Sequence, residues 1–205
     1  MTLEQIQNRL SSYQPQLLGQ QKKYAVLLPL IELNNQLHIL YQVRSQTVSQ
    51  PGDVAFPGGQ VEKEETFQEA AKRECCEELQ IRPGQIKIIG EIDYIVKPSA
   101  IIHCFVGFIQ VKTLDEITPN PDEVDYLFTL PISDLQKTKV TFYPSKQKIS
   151  LDEDFPYDRI PGGKQYPFQT FSHQIPFFLD LHPTIWGFTA QMTHRFLKIM
   201  EEVRF

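Results

Sequence analysis

Three glutamates, Glu74, Glu77 and Glu78, crowd together in the stretch "AAKRECCEELQI", residues 70–81. An α-helix turns about 100° per residue, so their side chains would fall within roughly a 100° arc. One or two turns earlier the same arc carries Phe67, Ala70 and Ala71, which marks it as an inward-facing stripe. Like charges at i,i+3 and i,i+4 repel, and part-buried carboxylates cost more still unless something positive sits among them. A hard divalent cation meets that need. Mg²⁺ prefers oxygen ligands near octahedral geometry and keeps several waters, so a few carboxylates plus substrate phosphates suffice. Arg73 lies at i±4 from Glu69 and Glu77 and within reach of Glu65, as a clamp on the carboxylates would. Upstream, Gly58 and Gly59 give a loop whose backbone groups stay open to a ligand or ion, because no side chain covers them.

Several elements must position these groups. Thr66 and Glu69 form a T-x-x-E capping box, so the acidic helix is expected to start near Phe67 and run to about Ile81. Thr2 and Gln5 cap a shorter helix over 2–12 in the same way. "KYAVLLPLIEL" and "LHILYQVR" are β-rich runs joined by the turn signal "NNQ". A short strand is expected around Val54 to Phe56, between Pro51-Gly52 and Pro57-Gly58-Gly59. Further strands are expected in "IKIIGEIDYIV", "IIHCFVGFIQV" and "VDYLFTLPI". A segment rich in Pro, Tyr and Phe fills about 136–182, and an amphipathic helix over about 183–203 follows, with Pro183 near its first turn. Mixed strands with one helix early and one late predict an α/β sandwich of one domain, with helices on both faces of a mixed sheet.

Composition narrows the function. The 205 residues carry a formal charge of −5, with 41% hydrophobic and 22% charged residues, as ordinary globular chains do. That balance argues against non-specific nucleic-acid binding, which needs a basic footprint, but not against a small anion in a local basic pocket. No run approaches 18 apolar residues and "MTLEQIQNRLSSY" has no apolar core, so neither a signal peptide nor a membrane partner is expected. Cys75, Cys76 and Cys104 read as reduced packing residues of a cytoplasmic protein. The five histidines have no ligand spacing, Gly162-Gly163-Lys164 reads as a turn, and Trp186 and Phe188 read as core aromatics rather than an adenine-stacking pair.

The string from Gly59 to Ile81 can be written G-x5-E-x7-R-E-U-x-E-E-x-Q-U, where U is apolar. It resembles the signature of the Nudix hydrolases, G-x5-E-x7-R-E-U-x-E-E-x-G-U, at every fixed position except the last glycine, here Gln80. In the family that glycine can end the helix in a left-handed conformation. Here Pro83 and Gly84 are expected to move the stop three residues later. The resemblance implies a Nudix α/β/α sandwich. It further implies Mg²⁺ or Mn²⁺ held chiefly by Glu74 and Glu78, with Glu77 joining directly or through waters, and a loop carbonyl from Gly58 or Gly59. Water would attack one phosphorus of a diphosphate joined to a further group, with Glu77 or Glu123 as general base and Arg73 behind the carboxylates.

"RSQTVSQPGDVAFPGG", residues 44–59, resembles an extension typical of the coenzyme A pyrophosphatase branch, as do "NPDEVDYLFTLPISDL" and "IWGFTAQM". This implies hydrolysis of coenzyme A or a derivative to 3′,5′-ADP and 4′-phosphopantetheine. Arg44 is then the candidate for the 3′-phosphate, since an arginine fork matches phosphate geometry, with Ser45 beside it and Gly58 and Gly59 at the diphosphate. A homodimer is compatible with the resemblance. The alternatives are a Nudix pyrophosphatase for ADP-ribose, dinucleotides or nucleoside triphosphates, and a non-catalytic nucleotide sensor. The sensor would predict eroded glutamates, and all three are present.

Overall fold

The computed structural model describes residues 1–202. Its elements are α1 (Leu3–Ser11), β1 (Lys22–Leu33), β2 (Gln36–Arg44), β3 (Val54–Ala55), β4 (Gly58–Gln60) and α2 (Phe67–Leu79). Then follow β5 (Ile86–Glu91), β6 (Ile95–Val96), β7 (Ala100–Ile109), β8 (Val124–Pro131) and α3 (Ile132–Leu135). The chain continues with β9 (Thr141–Lys148), β10 (Thr170–Phe178), β11 (Ile185–Trp186) and α4 (Gly187–Glu202).

A mixed sheet runs β3-β2-β1-β7-β5, with β4 also against β1, β6 against β7 and β8 against β2. Strands β1 and β7 are parallel, from Lys22↔Ala100 to Leu30↔Phe108. The β1–β2 hairpin turns at Asn34 and Asn35, both in the left-handed region at φ 52° and 60°, as a two-residue turn of matching twist requires. Residues 27–31 of β1 are all buried, because helices cover both faces of the sheet. On one face Ala70, Ala71, Cys75 and Leu79 of α2 pack on Ala25, Leu27, Leu40 and Ile109. On the other, Ala190, Met192, Phe196 and Leu197 of α4 pack with Leu28, Ile39, Tyr41 and Val43. The α/β/α sandwich is therefore present, and both capping boxes form as their spacing predicts.

Three expectations change. The acidic helix does not run on to Pro83: it stops at Leu79, and Gln80 itself takes the left-handed conformation at φ 51°, ψ 41°. The Ile81 N–H closes the end on the Cys76 carbonyl at 3.2 Å. A non-glycine residue thus accepts the strain because the closing hydrogen bonds need that conformation. The last helix begins at Gly187 rather than near Pro183, since Ile185 and Trp186 pair with Phe178 and Phe177 instead. Its expected final residue, 203, lies outside the described residues. Within the Pro-, Tyr- and Phe-rich segment 136–182, β9 and β10 form a ladder, and β11 completes a three-stranded sheet. Trp186 is 40% exposed, stacked on Phe177 at 5.5 Å, while Phe188 packs half-buried on the core. The indole N–H donates to Asp53 Oδ1 at 3.3 Å, which draws it out to the rim of the loop before β3.

Candidate active site

Packing against β1 and a fixed N-terminus together set the rotation of α2. Thr66 Oγ1 accepts from the Glu69 N–H at 3.2 Å, and the Glu69 carboxylate accepts from the Thr66 N–H at 2.9 Å. With Ala71, Cys75 and Leu79 pinned inward, Glu74 and Glu78 are carried toward the glycine loop. Glu77, one position earlier than Glu78, stays largely in solvent with a 57% exposed side chain.

The two glycines do different work. A Cβ on Gly59 would sit 2.3 Å from the Glu74 carboxyl, so this glycine is the space that Glu74 occupies. A Cβ on Gly58 would meet the Ala25 carbonyl oxygen at 2.5 Å and the Val26 Cα at 2.6 Å, because β4 lies directly on β1 there. The freed Gly58 N–H donates to Glu78 Oε1 at 2.9 Å. Glu78 Oε2 accepts from the Gln42 side-chain amide. Despite both bonds, burial pushes the Glu78 carboxyl up to about 7, helped by the nearby charges of Glu123 and Glu74. Burial also raises Glu74, against the pull of Arg73.

Arg73 spreads its guanidinium over four acceptor groups. Nε and Nη2 grip both oxygens of Glu65 at 2.9 and 3.1 Å, in the fork geometry that suits a carboxylate. Nη1 donates to Glu74 at 2.9 Å and Glu77 at 3.0 Å, and Nη2 also reaches the Gln60 carbonyl at 3.1 Å. The clamp therefore includes Glu65 and Glu77 as the spacing suggests. Glu69 is not part of it, since its carboxylate is spent on the helix cap. Hydrogen bonds from Arg73 hold Glu65 below the usual carboxylate range.

Glu123 reaches the site from the loop before β8. The Asn120 N–H donates to the Glu78 carbonyl at 2.8 Å, and the Ser45 N–H donates to the Glu123 carbonyl at 3.0 Å. The loop is thereby tied to both α2 and β2, and its charge is felt by Glu74 and Glu78. Ser45 is 5% exposed and its hydroxyl donates to the Asp122 carbonyl at 2.6 Å, so it secures this loop rather than lining an open surface. Arg44 turns back on its own loop: Nε donates to the Ser49 carbonyl at 2.7 Å and Nη2 to Ser49 Oγ at 3.2 Å. The structure thus gathers Gly58, Gly59, Arg73, Glu74, Glu78 and Glu123 and leaves Glu77 at the rim. Gln42 is a site residue that sequence reasoning passed over. Its only signal was an amide inside the apolar run "ILYQV".

Among the described residues, no three His, Cys, Asp or Glu side chains converge tightly enough to hold an ion unaided. The donor set nevertheless fits Mg²⁺ or Mn²⁺. Glu78 is held by the neutral donors Gln42 and Gly58, Glu74 shares Arg73 with Glu65 and Glu77, and such ions complete their shell with waters and substrate oxygens.

A family model described as the NUDIX domain matches residues 22–150. The chain is 32% identical to peroxisomal coenzyme A diphosphatase NUDT7 of Mus musculus, over 65% of this chain and 56% of that protein. It is 28% identical to mitochondrial coenzyme A diphosphatase NUDT8 of Homo sapiens, over 86% of this chain and 68% of that protein. The match to the mouse protein thus spans little more than half of that relative's length. In fold it is similar to the MutT/nudix family protein from Enterococcus faecalis, with a TM-score of 0.52 and 12% identity over 98% of this chain and 70% of that one. Loop, capped helix and clamped carboxylates agree with a match over well more than half of its length: this chain belongs to the Nudix hydrolase family.

Proposed function

We propose that the protein hydrolyses the diphosphate bond of coenzyme A or its derivatives, releasing 3′,5′-ADP and 4′-phosphopantetheine. One observation carries the chemistry: Glu74 and Glu78 are drawn out of water against Gly58 and Gly59, with Arg73, shared among three glutamates, as the cation at hand and the charge of Glu123 adding to theirs. The choice of substrate is supported by the names of the two coenzyme A diphosphatases and by the stretch Arg44–Gly59 that leads into the site.

A divalent ion, Mg²⁺ or Mn²⁺, would be held by Glu74 and Glu78, with Glu77 and a carbonyl of Gly58 or Gly59. When bound it would neutralise phosphate oxygens and acidify the attacking water. The remaining work falls to the chain. Arg73 fixes Glu74 and Glu65 and keeps the acidic helix from repelling itself. Glu123 is the better placed general base, since Glu77 is exposed and already paired with Arg73. Arg44 opens the stretch that leads into the site, and releasing Ser49 would turn its fork to the 3′-phosphate.

No described helix is long and apolar enough to cross a membrane, and Cys75, Cys76 and Cys104 are all free. We propose a cytoplasmic protein, a reading with which those thiols are compatible. The test is direct: incubation with Mg²⁺ or Mn²⁺ and, in parallel, coenzyme A, ADP-ribose and a diadenosine polyphosphate, with products resolved by chromatography. Release of 3′,5′-ADP from coenzyme A is the expected result. Consumption of ADP-ribose without it would overturn the substrate assignment.

A further inference from the structure

Gln42 occupies a position that its neighbours fill with apolar groups. It lies on β2 in register with Ala55 of β3 and Leu127 of β8, two residues after Leu40, which packs against α2. Its side chain is buried, with 1% of the residue exposed. The amide Nε2 donates to Glu78 Oε2, while the Gly58 N–H holds Oε1 of the same carboxylate. The other amide atom, Gln42 Oε1, is buried and finds no donor among the described residues. A buried acceptor without a donor weakens a fold, so an apolar side chain of equal size would serve packing better. What Gln42 gives in return is control of Glu78.

We propose that Gln42 is a positioning residue of the metal–diphosphate site. Its N–H fixes the orientation of the Glu78 carboxylate, and its unpaired Oε1 accepts from an O–H donor that arrives with the ion or the substrate. Two donors on two different strands then leave Glu78 no freedom to rotate. Each of its oxygens keeps lone-pair capacity for a cation. The inference rests on the metal-site reading above, though not on the choice of coenzyme A. It also explains why the site can use a carboxylate that water barely reaches: the amide replaces the solvent that would otherwise orient it.

The test reads metal binding without substrate. Mn²⁺ affinity is measured from the electron paramagnetic resonance of the free ion for the wild-type protein, Gln42→Met and Gln42→Asn. Gln42→Met keeps the volume and removes both amide atoms. Gln42→Asn keeps the amide but draws it back by one methylene, and serves if the first variant does not fold. The expected result is affinity about tenfold weaker or more in Gln42→Met, and weaker in the same direction in Gln42→Asn. In a Glu78→Gln background the same change adds no further loss. The side-chain ¹⁵N resonance of Gln42 in the wild-type protein moves when Mg²⁺ is added. Wild-type affinity in both variants, or an unmoved resonance, overturns the role of Gln42 alone. A wild-type protein that binds no Mn²⁺ overturns the metal reading with it, whereas binding without hydrolysis of coenzyme A touches only the substrate assignment.

Discussion

The loop and helix from Gly58 to Leu79 and the three-stranded sheet of β9, β10 and β11 are built in opposite ways. In the first, the side chains at the site are tied to partners: Arg73 has four acceptor groups, Glu78 two donors, and each glycine a neighbour that leaves no room for a Cβ. In the second, β9 and β10 pair along eight residues, yet Phe142, Tyr143 and Phe171 remain between 45% and 54% exposed. That sheet is fastened at one end, where Phe178 and Ile185 are fully buried beneath α4. Chemistry demands fixed positions, and fixed positions demand many short-range partners. A flanking sheet needs only a ladder and a hydrophobic anchor, which leaves its remaining surface free to vary.

If that contrast holds, the anchor is the costliest place to cut the flanking sheet. Phe178→Ala is expected to destabilise the protein by about 3–5 kcal/mol, the range for deleting a fully buried phenyl ring. This lowers the thermal midpoint by roughly 6–20 °C. Phe171, at the free end and 54% exposed, should tolerate Ser within about 0.5 kcal/mol. Calorimetry of the two variants checks both, and equal losses would show that the sheet is held along its whole length. At the site the largest effect should appear in rate instead. Glu78→Gln is expected to cost at least about 100-fold in kcat/KM, or about 2.7 kcal/mol of transition-state stabilisation. Near-wild-type turnover would remove Glu78 from the metal ligands.

The adjacent glycines sharpen the comparison within the site itself. Gly58→Ala sets a methyl group against backbone atoms of Ala25 and Val26, which cannot swing away, so stability should fall by about 1–3 kcal/mol. Gly59→Ala meets only the flexible end of Glu74, which can move. Its thermal midpoint should change little, while activity falls about 10- to 100-fold as Glu74 leaves its place and its bond to Arg73. Thermal melts beside initial rates separate the two. The reverse pattern would mean that β4 rather than Glu74 yields to the methyl group.

How much of this the sequence shows follows the range of the interactions. Both capping boxes, the Asn34-Asn35 turn and the grip of Arg73 on Glu65 and Glu77 depend on residues a few positions apart, or on one face of a helix, and were readable. The inward stripe that opens with Phe67, Ala70 and Ala71 gave the sandwich its α2 face for the same reason. The contact of Gln42 with Glu78 spans 36 residues and two elements, and no local pattern announces it. The start of α4 was hidden likewise: "PTIWGF" reads as a helix opening until β10 offers Ile185 and Trp186 a strand to pair with. Ser45 and Arg44 were legible as a motif but not as side chains, because their partners, Asp122 and Ser49, are set by how loops meet.

Gln80 is the point where local and tertiary demands disagree, and it yields the smallest and cleanest prediction. The helix ends between two residues buried in the same core, Leu79 and Ile81, with exposed Gln80 taking the reversal between them. The chain therefore reverses at Gln80 with φ 51°, a conformation costing a non-glycine residue about 1 kcal/mol. Gln80 is exposed and makes no side-chain contact that would repay this. Gln80→Gly should recover most of the strain, offset in part by the greater freedom of glycine in the unfolded chain. The net gain expected is no more than about 0.5 kcal/mol, or roughly 1–2 °C in thermal midpoint. Because Glu74 and Glu78 precede the reversal and are pinned by Gly58, Gly59 and Arg73, kcat should stay within about twofold of the wild-type value. A loss of stability in Gln80→Gly would show that the helix end is set by the glutamine side chain rather than by the backbone. A large change in kcat would show that the site senses the helix end after all.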